Sequence, residues 1–170
     1  MSVEFQSDKV VSLSRLKQIV QNAQKADKKV VWTNGCYDLM HAGHIIYLEK
    51  ARAVGDLLVV GLNSDRSVRM SKGGTRPIVP EELRAKVLSA LSCVDYVVLF
   101  DDRSPYSLIE FLQPDIYAKG GDYTIDTIDQ DERHLVEGYG GEIALFPGVE
   151  GMSTTALIEK ILQVYRTHRE

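Results

Sequence analysis

Two histidines, His41 and His44, stand three positions apart, shortly after an apolar run that leads into Gly35. Residues at this spacing on a helix project to the same side, so both imidazoles would face one ligand. The first turn of such a helix adds free backbone N–H groups and a partial positive charge. Gly43 keeps the backbone clear of whatever lies between the two rings. The pattern predicts a site that holds a triphosphate and stabilises charge on a phosphorus atom under attack.

The same spacing permits two other interpretations. Two histidines on one helix face can coordinate zinc, with Cys36 as the only nearby candidate for a third ligand of the usual type. They can also be incidental surface residues, which the strand–glycine–helix context disfavours. We favour the phosphate interpretation and predict that the protein itself holds no metal.

Lys72 stands in a second polar segment, residues 71–76, which has two adjacent glycines and no apolar side chain. Such a segment buries little, so we predict a mobile lid whose lysine acts after substrate has bound. Arg76 and Arg84 are further cations near the predicted mouth of the site. We predict that Asp38 hydrogen-bonds within its own turn rather than acting as a general base.

Other polar side chains also follow apolar runs. Asn63 and Asp65 follow the second such run, from which they can reach an acceptor molecule or the histidine segment. Three hydroxyl residues open the last helical segment, where they cap the helix and can donate to phosphates: Ser153, Thr154 and Thr155.

Short apolar runs alternate with helical patterns along the chain. We predict strands at residues 29–33, 57–62, 96–100, 116–118 and 142–146, and helices at residues 12–26, 44–53, 80–91, 104–112 and 130–139. Continuous apolar runs such as residues 57–60 indicate strands buried on both faces. The alternation predicts a single α/β domain with a doubly wound, parallel five-stranded sheet of the Rossmann-like type. Ligands bind such sheets beyond the carboxyl ends of the strands.

Length, charge and cysteine content narrow the class of protein. The 170 residues, 44% hydrophobic and 26% charged, suit one soluble domain. The net charge of −4 disfavours a dedicated nucleic-acid binder. Cys36 and Cys93 form no C-x-x-C pair, which indicates a reducing compartment. Residues 1–8 carry no secretory signal and no apolar stretch is long enough for a membrane span, so we predict a cytoplasmic protein with no membrane partner.

Residues 36–44, Cys-Tyr-Asp-Leu-Met-His-Ala-Gly-His, resemble the signature of the cytidylyltransferase-like nucleotidyltransferase superfamily with its HxGH motif. Residues 119–123 and 151–155 agree with it at two later strand ends, and the resemblance extends from about residue 30 to residue 162. Within the superfamily, the chain most resembles the adenylyltransferase domain of bifunctional heptose synthases. The segments that carry this closer resemblance are residues 33–36, 63–65, 72–77 and 119–123.

The resemblance implies an enzyme that transfers AMP from ATP to D-glycero-β-D-manno-heptose 1-phosphate, forming pyrophosphate and ADP-heptose for lipopolysaccharide. It also implies that His41, His44 and Lys72 are the catalytic residues. The predicted nucleotide-binding residues are Gly35, Cys36, Tyr37, Gly43, Lys119, Gly120, Asp122, Ser153, Thr154 and Thr155. The predicted contacts to the acceptor are made by Asn63, Asp65, Arg76 and Arg84.

The resemblance also implies Mg²⁺, held by the triphosphate and water more than by the protein. The kinase domain that precedes this domain in the fusions is absent from the sequence, so we expect a separate heptose kinase. We predict an N-terminal helical extension over residues 1–28, a nucleotidyltransferase domain over residues 29–170, and a homodimer.

Two alternatives remain. Glycerol-3-phosphate cytidylyltransferase is similar, but residues 147–150 lack its arginine, and Gly-Gly-Asp-Tyr stands where it has Gly-Asp-Asp-Trp. A CTP-dependent enzyme acting on glycerol 3-phosphate is therefore less favoured than an ATP-dependent one. The alternative of another class is a regulatory module that binds nucleotide without turnover. The presence of every motif cation expected for catalysis argues against it.

Overall fold

Five parallel strands form the centre of the molecule. A computed structural model of the chain describes residues 7–149 and 151–166. The strands are β1 (Val30–Gly35), β2 (Leu57–Asn63), β3 (Tyr96–Phe100), β4 (Ile116–Gly120) and β5 (Glu142–Phe146). They lie in the order β3-β2-β1-β4-β5, and every neighbouring pair is parallel. The predicted doubly wound, five-stranded parallel sheet is confirmed.

Seven helices accompany the strands in the described part of the chain. They are α1 (Leu13–Lys25), α2 (Ala42–Ala53), α3 (Asp65–Lys72), α4 (Glu81–Ala90), α5 (Tyr106–Leu112), α6 (Gln130–Gly138) and α7 (Thr154–Arg166). Within the residues described, no helix is both long and apolar enough to cross a membrane.

Alternate residues of each strand enter two separate cores, because successive side chains of a strand point to opposite faces of the sheet. Trp32 packs on one face with residues of α1, α5 and α6. Val31 packs on the other face with residues of α2 and α4. Both side chains are fully buried. Because helices cover both faces of the sheet, the strands are continuous apolar runs in the sequence.

The chain reverses its direction of travel across the sheet between β3 and β4. From β1 it adds β2 and then β3 on one side, and afterwards returns to place β4 on the other side of β1. The segments that leave β1 and β4 therefore diverge, which opens a crevice beyond their carboxyl ends. This is where the open-sheet rule places a ligand.

The segment before α1 lies along the outer edge of β3. Val11 N–H donates to the Val97 carbonyl over 2.9 Å, and Val97 N–H donates to the Lys9 carbonyl over 2.8 Å. Ser12 caps α1 as predicted, and Leu16 is buried in the same core as Trp32. The boundary at residue 28 stays a prediction, and residues 1–6 of the predicted extension lie outside the described residues, as do Glu150 and residues 167–170.

The structure adds one helix that the sequence patterns did not predict. α3 begins after Ser64, whose side chain accepts from the Ser67 N–H, and it ends at Lys72. Only Val68 and Met70 of its eight side chains are apolar, which is too few to mark a helix by an apolar stripe. Ser71 and Lys72 form the last turn of this helix, and only residues 73–76 of the predicted lid are irregular. The prediction that Lys72 lies in a loop is therefore wrong.

Gly61 generates the first testable prediction, because it packs directly against the ring of Trp32. A Cβ at this position would lie 2.4 Å from Trp32 Cζ2 and 2.6 Å from Cη2. Gly61→Ala should overpack the core and lower the free energy of unfolding by about 1–3 kcal/mol. At Gly138, in α6, an added Cβ meets nothing within 4 Å. The matched Gly138→Ala control should be neutral or slightly stabilising, and equal urea midpoints for the two variants would contradict the packing argument.

Candidate active site

A cavity of about 530 Å³ lies at the carboxyl ends of β1 and β4. It brings together eleven of the predicted site residues: Gly35, Cys36, Tyr37, His44, Asn63, Lys72, Arg76, Lys119, Gly120, Thr154 and Thr155. An adjacent cavity of about 260 Å³ shares His44, Tyr47, Gly120 and Thr154 with it, and three more predicted residues line that second space: His41, Gly43 and Ser153. The two cavities meet at His44, which stands between them.

The two imidazoles stack at the first turn of α2. Their ring centroids are 3.9 Å apart. The backbone N–H of His41 donates to Nδ1 of His44 over 3.3 Å, so the proton of a neutral His44 ring lies on Nε2. Nδ1 of His41 is buried and has no hydrogen-bond partner among the described residues. A buried polar atom without a partner is costly, and this nitrogen lies against the start of its own helix, 3.0 Å from where a Cβ at Gly43 would stand.

Gly43 makes the stacking possible. A Cβ at this position would lie 3.0 Å from Nδ1 of His41 and 3.1 Å from the Cβ of Met152. Both distances are tighter than ordinary van der Waals contact. The glycine therefore lets the histidine turn and the segment before α7 approach each other.

The environment of His44 favours its neutral form. Burial, together with the nearby His41 ring, lowers the pKa of His44 from 6.5 to about 4. At neutral pH, His44 is therefore an uncharged donor through Nε2–H. An anionic ligand beside the ring would act in the opposite direction, because negative charge favours the imidazolium form.

Asp38 fixes a neighbouring loop rather than its own turn, which corrects the prediction. Its carboxylate accepts from the backbone N–H groups of Ile78 and Val79 at 2.9 and 2.8 Å and from Arg76 Nε at 2.5 Å. Burial raises the pKa of Asp38, but these hydrogen bonds and the Arg76 charge outweigh it and hold the pKa below its usual value. Asp38 is therefore an ionised anchor and holds Arg76 at the cavity wall.

Arg84 is buried next to the site and joins several segments of the chain by hydrogen bonds. Its guanidinium is 1% exposed. Three backbone oxygens accept from it, those of Val79, Cys36 and Asn63, at 2.9, 2.6 and 2.8 Å. Its Nη2 lies 2.7 Å from Asp65 Oδ1. Neither Arg84 nor Asp65 lines either cavity, which corrects the prediction that they contact the acceptor. Asp122 also lies outside both linings.

Several residues that line the larger cavity were not predicted from the sequence. Tyr47 lies on α2 one turn after His44, and its hydroxyl is 2.6 Å from Thr33 Oγ1. A Cβ at Gly120 would lie 2.4 Å from the Tyr47 ring, so the glycine makes room for that ring. The other residues of the larger cavity that were missed are Thr33, Asn34, Ser71, Arg103 and Tyr123. Helical spacing from His44 was the available signal for Tyr47, and position at a strand end was the signal for Asn34.

Cys36 places a thiol in the cavity lining. Burial raises the pKa of this thiol, although the charges of Lys72, Arg84 and Arg76 act against the rise. Among the residues that the structure describes, no three His, Cys, Asp or Glu side chains cluster closely enough to hold a metal ion.

The lowered pKa of His44 predicts how stability depends on pH. The unfolded chain binds this proton near pH 6.5 and the folded chain near pH 4, so folding stability should fall as the pH drops from about 6.5 to about 4. A titration of the His44 ring by NMR should show a midpoint near 4, and His44→Gln should remove this part of the pH dependence. A midpoint near 6.5 would contradict the assignment.

Comparisons with known proteins agree with this geometry. The family model described as "Cytidylyltransferase-like" matches residues 32–165. The "Bifunctional protein HldE" of Geobacter sulfurreducens is 52% identical over 157 residues, which is 92% of this chain and 32% of that protein. The protein of the same name from Geotalea uraniireducens is 53% identical over 90% of this chain and 31% of that protein. The chain thus spans about a third of the length of these curated relatives.

Two solved structures are also similar. One is a lipopolysaccharide core biosynthesis protein from Thermoplasma volcanium, with 28% identity, a TM-score of 0.58, and coverage of 72% of this chain and 97% of that one. The other is a pantoate-beta-alanine ligase from Francisella tularensis, with 14% identity, a TM-score of 0.61, and coverage of 96% and 80%, and it shows the fold alone. The match of the family model over most of the chain, together with the identity to the curated relatives, shows that this chain belongs to the cytidylyltransferase-like family.

Proposed function

We propose that the chain is an adenylyltransferase that moves AMP from ATP to a sugar 1-phosphate and releases pyrophosphate. The observation that carries the proposal is the close pair of His41 and His44 rings at the first turn of α2, where His44 lines both of two adjacent cavities. Preorganised donors of this kind stabilise charge that develops at a phosphorus atom. D-glycero-β-D-manno-heptose 1-phosphate is the acceptor we infer, and ADP-heptose is the product.

The acceptor brings its own nucleophile, a phosphate oxygen that is ionised at neutral pH. This oxygen attacks the α-phosphorus of ATP in line, an O–P bond forms, and the bond from the α-phosphorus to the bridging oxygen of the β-phosphate breaks. The electron pair of that bond leaves with pyrophosphate. Because no strong base is needed, the work of the protein is positioning and charge stabilisation.

Different residues of the two cavities can stabilise charge on different parts of the nucleotide. We assign the charge that develops on the α-phosphate to the Nε2–H of His44 and to the ring of His41 beside it. Lys72 and Arg103 line the larger cavity, and no ion pair joins either of them to an acidic side chain in the described ranges 7–149 and 151–166. They are suited to the departing pyrophosphate. Thr154 and Thr155, at the start of α7, add hydroxyl and backbone donors.

A divalent cation fits this chemistry without a protein cage. Mg²⁺ coordinates triphosphate oxygens and water readily, and it neutralises part of the charge on the leaving group. The donor set of the cavity is mostly cationic and neutral, which matches a nucleotide that arrives with its own cation. We propose that Mg²⁺ enters in this form.

The names of the relatives support the sugar phosphate assignment. The curated relatives are called bifunctional, and one structural neighbour is named for lipopolysaccharide core biosynthesis. A heptose 1-phosphate acceptor and a kinase that supplies it fit both names. We further propose that the chain works in the cytoplasm as a homodimer and takes its acceptor from a heptose kinase.

A panel of nucleotides and acceptors tests the proposed function. With the heptose 1-phosphate, ATP should release pyrophosphate with a kcat/KM at least tenfold above that of CTP, which corresponds to about 1.4 kcal/mol of differential transition-state binding. Release should depend on both substrates and should stop when the divalent cation is chelated. A preference for CTP with glycerol 3-phosphate would support the cytidylyltransferase alternative. ATP binding without release with any acceptor would support the regulatory alternative.

Substitution of the histidines tests the mechanism. His41→Ala and His44→Ala should each lower kcat by about 10²–10³, the loss expected for one preorganised donor. His134→Ala is the matched control, because this exposed histidine on α6 lines neither of the two site cavities. Turnover like that of the unsubstituted chain in either site variant would refute the mechanism. An equal loss in the control would indicate a nonspecific effect on folding.

A further inference from the structure

A buried carboxylate lies beneath the cavity, next to the side chain of Lys119. Glu132, on α6, is 3% exposed. Its Oε1 accepts from Ser104 Oγ over 2.8 Å, and its Oε2 accepts from the hydroxyl of Tyr117. Lys119 Nζ lies 3.6 Å from the same Oε2. A carboxylate out of water needs such partners, so the three groups are held together by the cost of separating them.

The same contacts fix the direction of the Lys119 ammonium group. Nζ donates to Asn34 Oδ1 over 3.4 Å and lies 5.0 Å from the centre of the Tyr117 ring. An ammonium group has three N–H donors. Asn34 takes one of them, Glu132 is an ion-pair partner at 3.6 Å, and Lys119 lines the larger cavity. Donor capacity is therefore left for a ligand, and the contacts with Asn34 and Glu132 set the position of the ammonium group.

The ion pair between Lys119 and Glu132 also determines which chemical groups the β4 end of the larger cavity can bind. Lys119 and Glu132 together carry no net charge, so they offer a directed hydrogen bond rather than an excess of positive charge. Two cations of the larger cavity have no ion pair among the described residues: Lys72, which comes from α3, and Arg103, which comes from the segment after β3. Those two elements adjoin β2 and β3, whereas Lys119 is on β4, across β1 from them. The cavity is thus electrostatically asymmetric.

We propose that Glu132 is a positioning residue for nucleoside recognition: it orients Lys119 and cancels its charge, so that Lys119 donates to an uncharged acceptor atom of the bound nucleoside. The phosphates of the same nucleotide then lie towards Lys72 and Arg103. This inference rests on the proposed function, since it takes a nucleoside triphosphate as the ligand. It adds a residue from α6 that touches neither cavity.

Glu132→Gln separates positioning from a merely structural role. Glutamine keeps the length of the side chain and an oxygen that can accept from Tyr117, but it loses the charge that holds Lys119. Glu137→Gln is the matched control, because Glu137 lies on the same helix, is exposed and pairs only with Arg133 in the described part of the chain. The ligands are ATP and inorganic pyrophosphate, both with Mg²⁺, and binding is measured by calorimetry without any acceptor.

Glu132→Gln should change the affinities for ATP and for pyrophosphate by different amounts. Glu132→Gln should weaken ATP binding about tenfold, equivalent to about 1.4 kcal/mol, and leave pyrophosphate binding within about twofold. Lys119→Met should show the same split. The double variant should bind ATP no more weakly than Lys119→Met alone, because both changes remove one coupled interaction. Glu137→Gln should change neither affinity.

Three results would overturn the inference. Tighter pyrophosphate binding by Glu132→Gln would mean that Glu132 masks a phosphate-binding lysine. Equal losses for both ligands would mean that Glu132 acts only through the fold, as would a lower melting temperature with unchanged binding. If Glu132→Gln does not fold, Lys119→Met decides alone, and any outcome other than selective loss of ATP binding counts against the inference. Failure of the unsubstituted chain to bind ATP would instead count against the proposed function.

Discussion

The buried guanidinium of Arg84 is the constraint on which the site depends. A fixed positive charge cannot remain inside a protein unless its N–H groups are satisfied. Here they reach the carbonyls of Cys36 and Asn63, at the carboxyl ends of β1 and β2, and the carboxylate of Asp65 at the start of α3. The two strand ends are thereby held at a fixed distance from each other. Asp38 holds the loop at Ile78 and Val79 in the same way, so the cavity wall is fixed by two ionised groups.

Close packing of the layers requires glycine, which has no side chain, at two positions. At Gly120 the Tyr47 ring lies where a Cβ would stand, so α2 sits directly against the end of β4. At Gly43 the histidine turn meets Met152 ahead of α7. The three segments that carry the motif residues thus converge because two glycines leave room for their neighbours' rings. A cavity built in this way has its shape before any ligand arrives.

Local patterns explain which features the sequence could predict. The strands, the cap at Ser12 and the histidine turn are set by residues within a few positions of one another, and the structure places them where the patterns indicated. α3 was missed because its stability comes from Ser64 and from packing of Val68, not from an apolar stripe. Which acid pairs with which base depends on how distant segments meet. Arg84 was therefore predicted to contact the acceptor, and Glu132 was not identified from the sequence.

Cys36 shows a chemical consequence of the same burial. Its thiol lines a cavity rich in cations, an environment that usually produces a reactive thiolate. Burial dominates here and raises the pKa of Cys36, so the sulfur stays protonated at neutral pH. Peroxide and alkylating reagents attack the thiolate, and they should find little of it in this cavity. The chain can thus keep a cysteine close to Lys72 and Arg76 without making the cavity sensitive to oxidative stress.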